Sequence, residues 1–219
     1  MSLKNSSVKI KNPKLLKSKL INREINDIYK KFEKSFQIRE KFAVAVSGGP
    51  DSLALAFLAK IYSLNKKIIS NFYIVDHRLR KESTKEANTV KSVLKKYDIN
   101  VKILTWRGRK PKKNIQSTAR KKRYELLFAE CNKLGIKNIL LGHHQDDLFE
   151  NFFIRILRGS GLKGLVSLDK KTSINNIVLW RPLIDLKKED LIFLSKYVFD
   201  FFVKDPTNND EKYLRIRVR

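Results

Sequence analysis

A six-residue stretch rich in glycine and serine has the composition of a phosphate-binding loop. An apolar run, Phe42 to Val46, precedes it, and a helix-forming run, Leu53 to Tyr62, follows it. A strand that enters a glycine turn and then a helix directs backbone N–H groups and the positive end of the helix dipole at one point. We therefore predict an anion site made by Ser47, Gly48, Gly49, Pro50, Asp51 and Ser52. A plain strand-turn-helix corner with a capping serine is the structural alternative, because short glycine motifs recur by chance.

Asp51 is the one acidic residue of this stretch. A carboxylate beside phosphates is repulsive unless a cation lies between them, so the position predicts a Mg²⁺ ion with Asp51 as a ligand. The sequence contains no glycine followed five residues later by Gly-Lys-Ser or Gly-Lys-Thr. Kinase-type transfer of a γ-phosphate to a hydroxyl is therefore less favoured than another reaction at the phosphates.

A second group of residues suited to chemistry spans Gly142 to Asn151. Asp147, Glu150 and Asn151 are spaced to share one face of a helix. Paired carboxylates in a crevice of a basic protein suit a metal ion or an ammonium group. Two alternatives stay open: acids that only cap the helix, and a zinc site of His143, His144 and Asp147. The predicted core face of this helix consists of Leu148, Phe149, Phe152, Phe153, Ile156 and Leu157.

Strands and helices alternate around these residues. The predicted strands are Phe42 to Val46, Ile68 to Val75, Val101 to Trp106 and Ile136 to Leu141, and a long helix is predicted from Ile115 to Leu134. This alternation predicts an α/β fold with a doubly wound, Rossmann-like parallel sheet. Ligands of such sheets bind outside the carboxyl ends of the strands. We therefore expect Ser47 to Ser52, Asp76 to Arg80 and Gly142 to Asn151 to converge on one crevice.

The charge balance points to a polyanionic partner. The 219 residues include 48 Lys and Arg against 22 Asp and Glu, a formal net charge of +26. Nucleic acid is the commonest polyanion, and a solvated lysine-rich surface is the alternative. We predict a basic arm and packing helix over 1–38, with a helical stripe from Leu20 to Phe36, and a catalytic domain over 39–219. The single cysteine, Cys131, argues against a disulfide framework, a Cys-based zinc site or an iron–sulfur cluster.

Membrane and targeting signals are weak. No run approaches the roughly 18 apolar residues of a membrane span, so we expect a soluble cytoplasmic protein without a membrane partner. Organellar targeting by the lysine-rich arm is a minor alternative. Gly159 to Gly164 matches a dinucleotide fingerprint, but it follows a predicted helix rather than a strand. A helix C-cap and loop are therefore expected there.

The motifs resemble those of a known family. Ser47 to Ser52 resembles the SGGxDS signature of the PP-loop ATP pyrophosphatases, and from about Phe42 to Arg219 the chain resembles the bacterial tRNA(Ile)-lysidine synthetases. Asn151 departs from the Thr usual there, and family members usually continue past Arg219 into tRNA-binding domains. The collinear blocks are Ser47 to Ser52; Asp76 to Arg80 with Glu82-Ser83; Ala119-Arg120 with Arg123-Tyr124; Gly142 to His144 with Asp146, Asp147 and Glu150; Arg158 to Gly161 with Gly164-Leu165; Arg181 to Leu183; Asp205 to Asn208; and Tyr213 to Arg219.

This resemblance implies a two-step ligation. ATP adenylates the C2 oxygen of the wobble cytidine of an isoleucine tRNA with a CAU anticodon, and free lysine then displaces AMP. The resemblance leaves open a homodimer, a tRNA thiolase and a non-catalytic RNA-binding protein. The implied residues are Asp51, His77, Arg120, His143 and Asp147 for catalysis; Asp51 for Mg²⁺; Asp147 and Glu150 for lysine; and Arg80, Arg120, Arg123, Arg158, Arg215 and Arg217 for tRNA.

Overall fold

The computed structural model describes residues 13–111, 113–149 and 169–203. Within these residues a six-stranded sheet has the strand order β3-β2-β1-β4-β6-β5. All neighbouring strands are parallel except β5, which pairs antiparallel with β6. The predicted doubly wound α/β fold is confirmed. The strands are β1 (Phe42–Val46), β2 (Ser70–Asp76), β3 (Val101–Thr105), β4 (Asn138–Leu140), β5 (Lys171–Ile174) and β6 (Ile177–Trp180).

Helices cover both faces of this sheet. Those on one face share a core with Phe42, Val44 and Val46 of β1, whereas α5 packs on the opposite face with Ala43. Alternate residues of a strand point to opposite faces, so both faces of β1 must be apolar. The helices are α1 (Pro13–Ser18), α2 (Arg23–Ser35), α3 (Pro50–Lys66), α4 (Ser83–Lys95), α5 (Ile115–Lys133), α6 (described over 145–149) and α7 (Lys188–Phe199), with a 3-10 turn at Lys19–Ile21.

The sheet reverses its direction of winding between β1 and β4. The chain runs outward through β1, β2 and β3 and then returns to place β4 on the other side of β1. At such a reversal in a doubly wound sheet, the connections from the two neighbouring strands lead to opposite faces, and the crevice at their carboxyl ends is the usual ligand site. The predicted segments Ser47 to Ser52 and Gly142 to Asn151 begin at this reversal.

The hairpin of β5 and β6 was not predicted from the sequence. Asn175 and Asn176 connect the two strands, and Asn175 has a left-handed φ of 53°. Two asparagines before the apolar run Ile177–Trp180 are a hairpin signal, since asparagine tolerates the left-handed region. The signal is weak here because β5 is polar and exposed, as befits an edge strand.

Helix α2 is built into the core rather than attached to it. Asn22 caps the helix by accepting a hydrogen bond from the Ile25 N–H at 3.2 Å. Phe36, just past the helix, is fully buried, and its ring lies within 6 Å of the rings of Phe42 and Trp180. The predicted stripe from Leu20 to Phe36 therefore packs on the domain except at Ile21, which precedes α2 and is 83% exposed, while the domain boundary at residue 38 stays a prediction.

Replacing Phe36 by alanine should cost about 3–5 kcal/mol in the free energy of unfolding, because it empties the junction between α2 and the sheet. Urea denaturation measures this loss. Ile21→Ala is the matched control, since Ile21 is 83% exposed and its truncation should stay within about 0.5 kcal/mol of the parent. A loss at Phe36 no larger than the loss at Ile21 would mean that α2 does not belong to the core.

Candidate active site in the crevice

The loop from Ser47 to Ser52 is closed by one hydroxyl. Ser52 Oγ accepts hydrogen bonds from the backbone N–H groups of Ser47 (3.1 Å) and Gly48 (3.0 Å). It also lies 3.1 Å from Ser47 Oγ and donates to the Gly49 carbonyl at 2.9 Å. Ser52 is buried and Ser47 is exposed. The Ser52 hydroxyl therefore shapes the loop, whereas the Ser47 hydroxyl is placed at the surface of the crevice.

Gly48 lets the chain turn where a side chain does not fit. Its φ is +92°, and a Cβ there would lie 2.7 Å from Val90 Cγ2 and 3.2 Å from Val203 Cγ2. The Gly48 carbonyl accepts a hydrogen bond from the Val203 N–H at 2.9 Å. Helix α4 and the segment after α7 therefore brace the loop from behind.

Gly49 and Pro50 begin helix α3. Gly49 is the N-cap and Pro50 occupies the first turn, where its missing N–H costs nothing. A Cβ at Gly49 would meet only Ser47 Oγ, at 3.8 Å, so the space in front of this residue is open. Because the first-turn N–H groups of a helix lack intrahelical acceptors, the start of this 17-residue helix offers donors and a positive dipole end to an anion.

The third segment lies directly against this loop. A Cβ at Gly142 would lie 3.3 Å from the Asp51 carbonyl carbon and from the Cα and N atoms of Ser52. Backbone atoms yield less readily than a flexible side chain, so glycine allows this approach without a shift of the neighbouring backbone. The structure thus brings the end of β4 and the start of α3 together, as the sequence predicts.

A buried histidine connects the two segments. His144 is 1% exposed, and its Nε2 lies 3.7 Å from Asp51 Oδ2 and 3.7 Å from Asp147 Oδ2. Its Nδ1 accepts a hydrogen bond from the Asp146 N–H at 3.3 Å, which leaves the proton of the neutral ring on Nε2, toward the two carboxylates. The resemblance implies a catalytic role for His143, which is partly exposed, whereas the sequence predicts His144 only as a zinc ligand.

His144 and Asp147 also form a capping box at the start of α6. The Asp147 carboxylate accepts from the His144 N–H at 3.0 Å, while the His144 ring accepts from the Asp146 N–H. The capping alternative therefore holds for the Asp147 side chain. Asp147 is 7% exposed, so its carboxylate lies at the base of the crevice rather than on an open helix face.

The predicted core face of this helix is wrong at Phe149, and its members Phe152, Phe153, Ile156 and Leu157 lie outside the described residues. Phe149 is 55% exposed instead of buried. Helical spacing places several apolar residues near one face, but it does not fix how far that face turns toward the core. Glu150, Asn151, Arg158, the loop from Gly159 to Gly164, Arg215 and Arg217 lie outside the described residues.

His77, at the end of β2, is held as a neutral ring. Arg123 Nε donates to His77 Nε2 at 3.4 Å, and the Trp106 ring packs edge-on against His77 at 6.3 Å. Burial is the main cause that lowers the pKa of His77 to about 4, and the charges of Arg123 and Lys110 add to it. His77 is therefore uncharged near neutral pH and suits positioning better than proton transfer from an imidazolium.

Asp76 organises the same strand end, and sequence reasoning gave it no role. It is 2% exposed and accepts hydrogen bonds from the Arg78 N–H (3.0 Å), Ser83 Oγ (2.8 Å) and Thr84 Oγ1 (2.7 Å). Burial raises the pKa of Asp76, but these hydrogen bonds and the Arg78 charge together lower it below its ordinary value. An acid directly at the end of a buried strand is the signal that could have identified this anchor.

The predicted arginines fall into two kinds. Arg120 and Arg123 are exposed on α5, and the Arg120 guanidinium lies 5.4 Å from the centre of the Tyr124 ring. Arg80 instead pairs with Glu86 at 2.8 Å, which neutralises part of its charge.

Among the described residues no group of three or more His, Cys, Asp or Glu side chains could hold a metal ion, so the zinc alternative has no ligand set there.

The fold and this loop define a class of protein. Residues 17–219 match the PP-loop domain family. Because the match covers most of the chain, the chain belongs to that family. The resemblance seen in Ser47 to Ser52 is confirmed.

Curated relatives narrow the comparison. The chain is 43% identical over 188 residues to a tRNA(Ile)-lysidine synthase of Orientia tsutsugamushi, covering 84% of this chain and 42% of the relative. It is 40% identical over 178 residues to a tRNA(Ile)-lysidine synthase of Bradyrhizobium diazoefficiens, covering 80% and 49%. The chain thus spans about half the length of these relatives.

Solved structures agree on the fold. The U34-tRNA thiolase NcsA from Methanococcus maripaludis, solved with its [4Fe-4S] cluster, superposes with a TM-score of 0.73 at 21% identity, covering 90% of this chain and 71% of that one. At this identity the likeness concerns architecture alone.

In the described part of the chain, no helix is long and apolar enough to cross a membrane.

Alanine at Gly48 and at Gly49 should have opposite consequences. Gly48→Ala combines a left-handed backbone with a clash and should destabilise the fold by about 2–5 kcal/mol. Gly49→Ala should cost about 1 kcal/mol or less, yet its methyl group enters the open space of the loop and should weaken ATP binding on the order of tenfold or more. Thermal denaturation and calorimetric ATP titration measure the two effects. Unchanged ATP affinity in a folded Gly49→Ala protein would exclude this loop as the anion site.

The low pKa of His77 predicts a pH-dependent stability. Between its ordinary value of 6.5 and about 4 the unfolded chain binds a proton at this position that the folded chain does not. The free energy of unfolding should therefore fall as the pH is lowered through this window, and it should fall less in His77→Gln. Urea denaturation of both proteins from pH 7 to pH 4 tests this. Parallel stability curves would show that His77 is not held neutral.

Proposed function

We propose that this chain is the catalytic part of a tRNA(Ile)-lysidine synthetase. It binds ATP in the crevice and adenylates the C2 oxygen of the wobble cytidine of an isoleucine tRNA with a CAU anticodon, with release of pyrophosphate. Free lysine then joins the cytidine at C2 with release of AMP. One observation carries the proposal: the closed loop at the start of α3 connects through His144 to Asp147 of the neighbouring segment. Curated relatives with the same printed name support it.

The loop is suited to the leaving group. Pyrophosphate carries more charge than any other part of ATP, and the start of α3 supplies N–H donors and a positive dipole end. The loop is held rigid by Ser52 and braced by Val90 and Val203, so little ordering is needed when an anion binds. A preorganised donor set of this kind stabilises charge that develops as the bond to the leaving group breaks.

We propose Mg²⁺ as a second cofactor beside ATP. The side chain of Asp51 is 28% exposed in the first turn of α3, beside the space proposed for the phosphates. Mg²⁺ is commonly held by one or two carboxylates together with substrate phosphates, and Asp51 fits that arrangement. When bound, the ion would neutralise phosphate charge.

Lysine is the proposed second substrate, and its ammonium groups need acceptors. Asp147 supplies a carboxylate at the base of the crevice, and Glu150 is the second proposed acceptor. The backbone N–H of His144 donates a 3.0 Å hydrogen bond to the Asp147 carboxylate and so fixes its position. His143 stays a candidate for positioning the cytidine or accepting a proton from the attacking amine.

We propose that tRNA is the polyanion that the net charge of +26 attracts. Arg120 and Arg123 lie exposed on α5, near the crevice end of the sheet, where they suit RNA phosphates. Arg80 is a weaker candidate because Glu86 pairs with it. Such contacts position the RNA and make its binding dependent on salt.

The thiolase alternative receives less support. Sulfur chemistry of that kind uses paired cysteines or an iron–sulfur cluster, and the sequence has one cysteine. Cys131 is buried on α5, and burial raises the pKa of its thiol to about 12. A thiol with so high a pKa is a poor nucleophile at neutral pH.

The products of the reaction test the proposal. The chain should convert ATP to AMP and pyrophosphate in the presence of an isoleucine tRNA with a CAU anticodon and lysine, and mass spectrometry should find lysine joined to the wobble cytidine. A tRNA with a different wobble base is the control. ADP as the product, or AMP formed without any change to the RNA, would contradict the proposal.

Asp51→Ala should abolish formation of the adenylated RNA with little change in stability, because the carboxylate is proposed to act on a metal rather than in packing. Asp27→Asn is the control, since Asp27 has a side chain 68% exposed on α2. Thermal denaturation and an assay for adenylated RNA without lysine separate the two effects. Full activity of Asp51→Ala, or its failure to fold, would contradict the assigned role.

A further inference from the structure

Arg181 is a buried cation at the carboxyl end of β6 that the proposed reaction does not yet use. It directly follows Trp180, the last residue of the strand, and is 4% exposed. Its Nη1 donates to the Asp169 carbonyl at 2.7 Å and to Thr172 Oγ1 at 2.8 Å. Its Nε is buried and has no hydrogen-bond acceptor among the residues that the structure describes.

The charge of Arg181 is not balanced by a side chain. Within residues 13–111, 113–149 and 169–203, no carboxylate oxygen lies within 4.0 Å of its guanidinium nitrogens. Asp169 contributes its backbone carbonyl, and its carboxylate acts only at longer range. A guanidinium stays charged in proteins, so a buried one with a spare N–H donor is costly unless an anion binds to it.

A second guanidinium lies on the same wall of the crevice. Ile177 and Leu179 of β6 pack in the core beneath α5, and strand alternation directs Arg181, the first residue after β6, to that same face. Helix α5 runs antiparallel to the strands, so Tyr124 and then Arg120 lie toward the same end. Burial lowers the pKa of Arg181, and the charge of Arg120 lowers it further.

The chain beyond Arg181 runs beside the segment that carries Asp147, one of the proposed lysine acceptors. Leu183, two residues beyond Arg181, forms a parallel bridge with His144, and His144 N–H binds the Asp147 carboxylate. The Leu141 N–H donates to the Trp180 carbonyl at 2.8 Å, so β6 continues beside β4 up to the crevice. The Asp147 carboxylate and the Arg181 guanidinium therefore both follow neighbouring strands that end at the crevice.

We propose that Arg181, assisted by Arg120, binds the α-carboxylate of the lysine substrate. The inference rests on the proposed function. A planar guanidinium matches a planar carboxylate in two parallel hydrogen bonds. An RNA phosphate is the other oxyanion with suitable chemistry, but its attached backbone requires an open surface, whereas a free amino acid can enter a crevice whose arginine is buried.

Lysine and 1,5-diaminopentane separate the contribution of the carboxylate, because the second molecule has the same amines and lacks only that group. With saturating ATP and tRNA, the parent chain should favour lysine in kcat/KM. Arg181→Met should lower kcat/KM for lysine by about 10- to 100-fold, because it removes a charge-assisted hydrogen bond. It should leave kcat/KM for the diamine unchanged. Arg181→Lys should retain part of the preference, since it keeps the charge.

Thr172→Val is the matched control for a purely structural role. It removes the hydroxyl that accepts from Arg181 Nη1 and keeps the guanidinium. The lysine preference should survive in Thr172→Val, even if thermal denaturation shows lower stability. Equal loss of preference in Thr172→Val and Arg181→Met would overturn the inference and identify Arg181 as a tether.

Two further outcomes are decisive. The preference for lysine over the diamine could stay unchanged in Arg181→Met while RNA binding weakens and its salt dependence falls by about one phosphate contact. That result would assign the anion at Arg181 to RNA and overturn the inference. If Arg181→Met does not fold, Arg120→Met should still lower the lysine preference, and an unchanged preference there overturns it. A parent chain that uses neither amine refutes the proposed function itself, which is a separate result.

Discussion

The Ser52 hydroxyl is the contact on which the crevice depends. It gathers the N–H groups of Ser47 and Gly48 and the carbonyl of Gly49 around a single oxygen, so the loop closes on itself before any ligand arrives. Gly48 makes this closure compatible with the packing of Val90 and Val203 behind the loop. A loop held in this way presents the start of α3 in one fixed direction.

The reversal of the sheet between β1 and β4 turns that loop into part of a site. It brings Gly142 against the backbone of Asp51 and Ser52, and it places His144 between two carboxylates on different elements. His144 is buried and its ring accepts a hydrogen bond from the Asp146 N–H, so its Nε2 stays 3.7 Å from both the Asp51 and the Asp147 carboxylates. The phosphate end and the amine end of the proposed reaction are thereby held in one geometry.

Much of this arrangement could be predicted from the sequence, because strong local patterns determine it. The run Phe42 to Val46 is apolar at every position, and two glycines follow it after Ser47, so the sequence predicts both the strand and the loop. The convergence of strand ends follows from the parallel topology. The polar edge strand Lys171–Ile174 has no such pattern, and its hairpin was missed.

The direction of individual polar side chains could not be predicted in the same way. The Ser52 hydroxyl turns into the loop, and His144, an uncommon helix cap, lies between Asp51 and Asp147, whereas the resemblance implies His77 and His143 as the catalytic histidines. Hydrogen-bond partners of these groups depend on how distant segments meet. Arg181 is the clearest example, because arginine is rarely buried and only the packing of β6 beneath α5 encloses it.

Binding of pyrophosphate to the isotopically labelled chain, followed by amide NMR, tests the central claim most directly. If the loop closed by Ser52 holds the phosphates, the amide signals of Ser47 to Ser52 should shift on addition of pyrophosphate with Mg²⁺, and those of the exposed lysines on α5 should not. Shifts spread over the basic surface, with the loop signals unchanged, would contradict the claim.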